Sequence, residues 1–261
     1  YYKPTYKDDQ TLNSLTPIST DFPAVITKRL CGTLPQPPTH FLVPSIDVVH
    51  NRIAMEIMRG CTRGCRFCHA GMVNRPVRER TVSDIAEAIE KALENTGYEE
   101  IALLSLSSSD YTQIGKLVDE ITSRLSGKNL TISLPSLRIE SFSVDLMEKL
   151  KGVRQGGFTL APEAATDRMR NTINKPIQAD QLLSTAREIY SRGWSTLKLY
   201  FMIGQPGETM EDVQAIADLS KKVIVEGRKA IGKRANLHVG VSTFVPKPHT
   251  PFQWASLDPL I

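Results

Sequence analysis

Cysteine is scarce in this chain, at four residues in 261. So sparse a set excludes the disulfide framework of a small secreted domain. No apolar run approaches the length that spans a bilayer, and no charged-then-apolar leader marks a secretion signal. An initiator methionine is also missing. The sequence opens on Tyr1 and stops after Trp254-Ala-Ser-Leu-Asp-Pro-Leu-Ile261, which reads as a fragment of a longer protein. Free thiols without a leader predict a reducing, cytoplasmic compartment and no membrane partner. A formal net charge of +4 is too small to argue for nucleic acid by itself. The remaining composition, 41% hydrophobic and 23% charged, is that of a soluble globular protein. Its length suits one large α/β domain or two small ones.

Three of the four cysteines fall together. Cys61, Cys65 and Cys68 sit in the run Arg59-Gly-Cys-Thr-Arg-Gly-Cys-Arg-Phe-Cys-His-Ala-Gly71, with the spacing C-x3-C-x2-C. Three thiolates on one short loop can hold three corners of a cubane iron–sulfur cluster, leaving the fourth iron without a protein ligand. An open metal position separates a catalytic site from a closed structural one. A structural zinc site would need a fourth donor. His69 is the only one nearby, and it follows Cys68 directly, so it would have to turn back onto the same ion. An ordinary ferredoxin site would need a fourth thiolate, and Cys31 lies 30 residues upstream of Cys61. Cys31 itself is expected to be a small buried hydrophobe.

Residues 59–80 hold Arg59, Arg63, Arg66, Arg75, Arg78 and Arg80 against the single acid Glu79. This run either compensates an anionic thiolate cluster and a carboxylate ligand, docks an acidic electron donor, or meets RNA phosphates. Charge compensation is the simplest of the three.

The prolines between Pro4 and Pro44 break any long element, so residues 1–50 are expected to form an irregular linker or wrapping arm. Residues 51–261 are expected to form one core domain. From Arg52 onward, strands and helices alternate. Strands are predicted at 52–57, 101–107, 130–134, 157–161, 196–203 and 237–245. Helices are predicted after Thr81 and Asp110, over about 143–150, before Gly193, and after Thr209. Such alternation implies parallel strands with right-handed crossovers. Six units fall short of the eight that close the usual barrel. The expected fold is therefore an open, partial (β/α)6 TIM-like barrel.

Chemistry in such folds gathers at the carboxyl ends of strands. Those positions carry the cysteine loop, Ser105 to Asp110, Pro135 to Arg138, Pro162-Glu163 with Asp167, Arg168 and Arg170, Gly204 to Glu208, and Pro246 to His249. Singly, each has an ordinary explanation as a helix cap, tight turn or surface residue. Together, on the rim that carries the cysteines, they form a candidate site.

The cysteine tripod with Phe67 before its last member resembles the signature of the radical S-adenosylmethionine (radical SAM) superfamily. A longer set of segments resembles a bacterial group of radical SAM proteins with an N-terminal cobalamin-binding-like domain. These include Arg75-Pro-Val-Arg-Glu-Arg80, Ser133-Leu-Pro-Ser-Leu-Arg138, Ala161-Pro-Glu-Ala, Lys198-Leu-Tyr-Phe-Met-Ile-Gly204 and Phe244-Val-Pro-Lys-Pro-His-Thr-Pro-Phe-Gln-Trp254. The resemblance implies a radical SAM-type barrel and a [4Fe–4S] cluster on Cys61, Cys65 and Cys68. It also implies S-adenosylmethionine (SAM) at the open iron and an external one-electron donor of flavodoxin or ferredoxin type. Reductive cleavage of SAM would then give methionine and a 5′-deoxyadenosyl radical that takes a hydrogen from substrate. The resemblance puts Ser107 and Ser109 where a Gly-Gly-Glu motif receives the methionine amino group. This chain lacks those glycines and that acid, which leaves backbone carbonyls for the role. Glu163 falls near ribose or the methionine end, and Arg138 and Arg168 are candidates for the methionine carboxylate. Gly204 falls at the turn that lets adenine approach backbone, with Phe67 and Val245 beside the base. Cobalamin, if used, belongs to a domain outside this chain.

Two rival readings stand beside this one. A methylthiotransferase-like enzyme acting on tRNA or a ribosomal protein would carry a second cluster on three further cysteines, which this chain does not supply. A non-catalytic iron–sulfur or zinc protein would serve binding or electron transfer. The substrate, RNA or protein among the candidates, is not legible here. His50, His249 and Trp254 are unassigned, and Trp254 is expected to pack against a C-terminal part outside this chain.

Overall fold

The computed structural model describes residues 2–9, 12–23, 25–127, 130–135, 138–139 and 158–256. The predicted helix over 143–150 lies outside them. Two compact units divide the chain, Tyr1–Thr33 and Leu34–Ile261.

In the first unit, β1 (Tyr2–Tyr6) and β2 (Leu12–Pro17) pair antiparallel. An irregular arm was expected here. The hairpin tolerates its prolines because a two-stranded ribbon has only edge strands, and Pro17 ends β2. The Thr5 and Ser14 hydroxyls hydrogen-bond across the pair at 2.6 Å. Residues 25–50 contain no helix or strand. Cys31 lies in this stretch and is exposed, not buried. Its thiol donates to the Thr33 carbonyl at 2.8 Å.

The second unit begins its regular structure with β3 (Ile53–Glu56), β4 (Met58–Arg59), α1 (His69–Val73), β5 (Arg78–Glu79) and α2 (Val82–Thr96). It continues through β6 (Glu100–Leu104), α3 (Ile114–Arg124), β7 (Thr131–Ser133), β8 (Phe158–Glu163) and α4 (Asp167–Thr172). It ends with α5 (Ala179–Ser191), β9 (Thr196–Ile203), α6 (Met210–Ile231) and β10 (Asn236–Thr243). All six strands predicted for the core are present. They form two three-stranded parallel sheets, β3-β6-β7 and β8-β9-β10. Among the described residues the result is an open α/β fold with no closed barrel, as the count of six units predicts.

Helix ends follow sequence signals. The Thr81 hydroxyl accepts the Asp84 N–H, and Gly97 ends α2 in the left-handed conformation. Thr209 and Asp212 form a reciprocal capping box at the start of α6. Asp110 does not cap α3. Gln113 takes that position without a side-chain bond, because the Asp110 carboxylate is committed to Arg63 and Ser107.

Two cores cover one face of the sheets. Ile53, Met55, Ile101 and Leu103 pack with Ile85, Ile89, Leu117 and Ile121 from α2 and α3. Leu197, Leu199 and Phe201 pack with Leu182, Ile189, Ile216 and Val223 from α5 and α6. Each side chain so buried contributes about 1.5–3 kcal/mol. Helices cover that face except at Val239 and Val241 of β10, which stay exposed, and the polar strand ends are left to the rim.

Candidate functional site: the cysteine loop and the strand-end rim

The cysteine loop begins where a short antiparallel ladder, Met58↔Glu79 and Arg59↔Arg78, pinches residues 60–77 into a closed excursion. Two-residue strands have no readable period, so the sequence gives no sign of them. Gly60 enters the loop at φ +96°. A Cβ there would lie 2.8 Å from the Asn74 carbonyl oxygen and 2.9 Å from that of Pro76, so only glycine fits.

Cys61 and Cys65 are buried, Cys68 is half-buried, and all three are free thiols. The Cys68 N–H donates to the Cys65 carbonyl at 3.1 Å, making the last two cysteines part of one turn. Cys68 then caps α1, its sulfur accepting the Gly71 N–H at 3.3 Å. Hydrogen bonds to sulfur are one of the controls on the potential of an iron–sulfur cluster. Among the described residues, no group of three or more His, Cys, Asp or Glu side chains converges on a single metal ion. One ion would gather its thiolates at about 2.3 Å from a common centre. A cubane gives each thiolate its own iron, so the three sulfurs need not converge. The donor set, three free thiols on one loop, fits the cluster chemistry.

Three neighbours hold the loop. From the chain beyond β8, Asn174 donates its side-chain amide to the Gly64 carbonyl at 2.9 Å, and the Arg66 N–H donates to the Ile173 carbonyl at 2.9 Å. Asn174 is left-handed at φ 56°, a conformation that Asn tolerates better than most residues. From beyond β10, the Phe252 N–H donates to the Arg66 carbonyl at 3.2 Å, while Phe252 and Phe67 join Met169 and Ile173 in a small apolar cluster. His249 follows the same path, its ring 6.3 Å from that of His69. From beyond β6, Asp110 takes the Arg63 guanidinium on both oxygens, with Nε to Oδ2 at 2.9 Å. Phe252→Ala should therefore loosen the loop. The expected loss is about 1–2 kcal/mol, with faster hydrogen exchange at residues 61–68 as the readout.

The arginine run is thereby largely accounted for. Arg59 and Arg80 both pair with Glu56, Arg63 with Asp110, Arg66 donates to the Thr172 carbonyl, and Arg78 to the Pro76 and Asn74 carbonyls. These contacts brace the loop, a role the sequence does not specify.

At the end of β6, the Ser107 hydroxyl is buried and donates to Asp110 at 2.7 Å. The Ser109 hydroxyl accepts the Arg138 N–H at 3.1 Å, joining the ends of β6 and β7. At the end of β8, Glu163 has φ 67°, follows a register shift in the strand, and pairs with Lys175 at 3.2 Å. A non-glycine residue in that conformation costs on the order of 1–3 kcal/mol, and such outliers cluster at functional sites. Its carbonyl accepts the Gln205 side-chain amide at 3.2 Å, joining the ends of β8 and β9. Gly204 sits in the turn after β9, where the Glu208 carboxylate accepts the N–H groups of Gly204 at 2.6 Å and Gln205 at 3.2 Å.

Arg168 turns to the β9–α6 loop, where it donates to the Gly207 carbonyl at 3.0 Å and pairs with Asp212. Val245 is exposed beyond β10. Trp254 is 69% exposed. Lys175 and Asn174 escape sequence reading because neither belongs to a periodic or spaced pattern.

Burial opposes ionisation of Asp110, but Arg63 and the Ser107 hydroxyl outweigh it and hold the carboxyl below its ordinary range. Hydrogen bonding from Arg59 leads in lowering Glu56, against burial and with help from Arg80. A depressed carboxyl binds fewer protons folded than unfolded. Its stabilisation is complete above the unfolded pKa and lost as pH falls through the folded one. Melting temperature should therefore drop below about pH 4, and Asp110→Asn should flatten that drop. Glu208 has the opposite sign. Burial raises it, with Asp212 adding to the effect against the two N–H donors, so it costs stability at neutral pH.

The radical SAM superfamily profile matches residues 55–220, from β3 into α6. An uncharacterized protein of Methanocaldococcus jannaschii is 35% identical over 204 residues, covering 78% of this chain and 43% of that protein. The tRNA-2-methylthio-N(6)-dimethylallyladenosine synthase of Desulforamulus reducens is 28% identical over 65% of this chain and 39% of its own length. In fold, the chain resembles the radical SAM methyltransferase TsrM of Kitasatospora setae (TM-score 0.62, 16% identity, 78% of this chain and 38% of that one). It also resembles the cobalamin-dependent radical enzyme OxsB (TM-score 0.59, 12% identity, 76% and 34%). The chain spans 43% and 39% of the length of these two curated relatives.

Proposed function

We propose, from the premise that this chain belongs to the radical SAM superfamily and so to a class of SAM-using enzymes, that Cys61, Cys65 and Cys68 hold a [4Fe–4S] cluster whose open iron binds SAM. The observation that carries this reading is the braced loop: three free thiols at the end of the first core strand, tied to segments that follow β6, β8 and β10. When bound, the cluster and SAM supply one-electron reductive cleavage of a sulfonium, which the superfamily uses to abstract hydrogen from substrate.

The chain's own residues bind and orient. With the Ser107 hydroxyl spent on Asp110, backbone carbonyls of residues 105–109 are assigned to the methionine ammonium. Arg138 is assigned to the methionine carboxylate, and Glu163, fixed by its backbone and Lys175, to ribose. Gly204 and Phe67 are assigned to adenine, with Val245 beside it. Arg168 serves instead to hold the turn after Gly204 through Gly207 and Asp212. Members of the superfamily take their electron from an external donor, here assigned to the flavodoxin or ferredoxin type. Among the described residues, no helix is long and apolar enough to cross a membrane, and the free thiols suit the cytoplasm.

Anaerobic reconstitution followed by iron and sulfide analysis tests the cluster. About four of each per chain, with an electron paramagnetic resonance signal that changes on adding SAM, is the expected result. Bound zinc without iron, or a cluster indifferent to SAM, would favour the non-catalytic reading.

Two extensions of the reading concern the full-length protein. Likeness in fold to TsrM and OxsB favours cobalamin, whereas likeness in sequence to methylthiotransferases favours a second cluster. Corrinoid absorbance against doubled iron content in the full-length protein separates the two.

A further inference from the structure

The face of β9 and β10 turned away from the helices carries a feature that the cysteine site does not explain. Leu197, Leu199 and Phe201 are buried against α5 and α6. Side chains alternate along a strand, so Lys198, Tyr200 and Met202 stand on the opposite face. The parallel register sets His238 beside Lys198, Gly240 beside Tyr200 and Ser242 beside Met202. Thr159 of β8 lies on the other side of Lys198.

A Cβ built on Gly240 would lie 2.8 Å from both Cδ1 and Cε1 of Tyr200. The tyrosine ring therefore rests on the backbone of β10 at Gly240, where a methyl group would have to push it aside. Glycine inside a strand weakens it, and often marks a place where another group must come close. Here that group is an aromatic ring left 47% exposed, with one side on Gly240 and the rest toward solvent. Lys198 and His238, one pleat below, are both exposed. No side-chain hydrogen bond or ion pair occupies Tyr200, Lys198 or His238 among the described residues. Tyr200 is three residues short of the end of β9, which places it about 10 Å below the rim that carries the cysteine loop. His238 and Gly240 also lie beyond the residues matched by the superfamily profile.

We propose that Tyr200, seated on Gly240, is a stacking platform for the substrate, and that Lys198 with His238 recognises an acidic group on it. The substrate is a planar ring bearing a carboxylate or a phosphate. The assignment of this ligand as substrate rests on the radical SAM reading above; the platform itself does not. A stacked ring supplies affinity without sequence or shape coding, while the ammonium pairs with either anion.

Calorimetry on the cluster-loaded chain, saturated with SAM and without reductant, tests it. Indole-3-acetate and adenosine 5′-monophosphate carry both a ring and an anion, from the two sources. Indole and adenosine lack the anion, and acetate lacks the ring. At least one ring-plus-anion probe should bind about tenfold or more tighter than its ring-only partner and than acetate, and whichever binds names the source of the anion. Tyr200→Ala should weaken that probe about tenfold, and Lys198→Gln should erase the preference for the anion. Gly240→Ala should act like Tyr200→Ala by displacing the ring. Tyr200→Phe, which keeps the ring, should bind as wild type and so separates stacking from misfolding. No binding of either ring-plus-anion probe, or equal binding by wild type and Tyr200→Ala, would overturn the platform. Wild-type formation of 5′-deoxyadenosine after adding dithionite is measured in the same preparation. Its absence would count against the radical SAM reading and leave the calorimetric result on the platform standing.

Discussion

Alanine at Cys65 is expected to yield a folded chain that holds no cluster and cleaves no SAM above background. The Cys65 thiol is buried and free, in a loop that Asn174, Phe252 and Asp110 hold from outside its own residues. Loss of one sulfur leaves those braces untouched, so the cost in stability should be about 1 kcal/mol. The corresponding shift in melting temperature of the metal-free chain is about 2–4 °C. Cluster loading should fail completely, because two thiolates cannot replace three corners. Cys31→Ala is the matching control. That thiol is exposed and bonded to the Thr33 carbonyl, in a separate compact unit of the chain. Iron content should be unchanged in that variant. Equal iron loss in both variants would remove the tripod from the account.

The largest expected effect on stability comes from Arg170→Met. Arg170 is 1% exposed. Its guanidinium donates to the carbonyls of Ala164 at 3.0 Å and Ala165 at 2.8 Å, and to that of Ile177, and it pairs with Asp167. Methionine fills much of the volume but leaves three carbonyls without their donor, each costing about 1–3 kcal/mol when buried. A total loss of about 3–5 kcal/mol is expected, read as a melting temperature lowered by roughly 10 °C. Lysine should not rescue the variant, since a single ammonium cannot reproduce the planar fork of donors. The same contacts fix the segment between Glu163 and Asn174, so cluster loading should also fall. A melt unchanged within error would show that solvent or relaxation replaces the missing donors.

Arg170 also marks the limit of what could be read from the chain alone. In the sequence it is one of several polar residues after the fourth core strand, with the same apparent claim to a ligand as Arg168. Nothing in its spacing says that it is buried, because burial depends on the turn between Ala164 and Ile177 closing over it. Features with a local cause were legible. Apolar periodicity marked all six core strands, a threonine followed three residues later by an aspartate marked the starts of α2 and α6, and the cysteine spacing marked the loop. Features that need two distant segments were not. The two-residue ladder at the base of the loop, the Asn174 and Phe252 anchors, and the pairing of Arg63 with Asp110 all join residues that no sequence window contains. Asp110 shows the competition directly. Its position invites a helix cap, yet the carboxylate serves Arg63 and Ser107 instead. The hairpin in the first unit failed for another reason: proline was read as a strand breaker, and a two-stranded ribbon accommodates it at an edge.

The central claim is that three thiols on one braced loop equip this chain to cleave SAM reductively. The direct measurement is anaerobic. The reconstituted protein is reduced with dithionite, SAM is added, and 5′-deoxyadenosine is quantified by mass spectrometry beside the Cys65→Ala variant. The account predicts 5′-deoxyadenosine from the wild type alone. An intact, SAM-responsive cluster that yields none, or equal yields from both proteins, would contradict it.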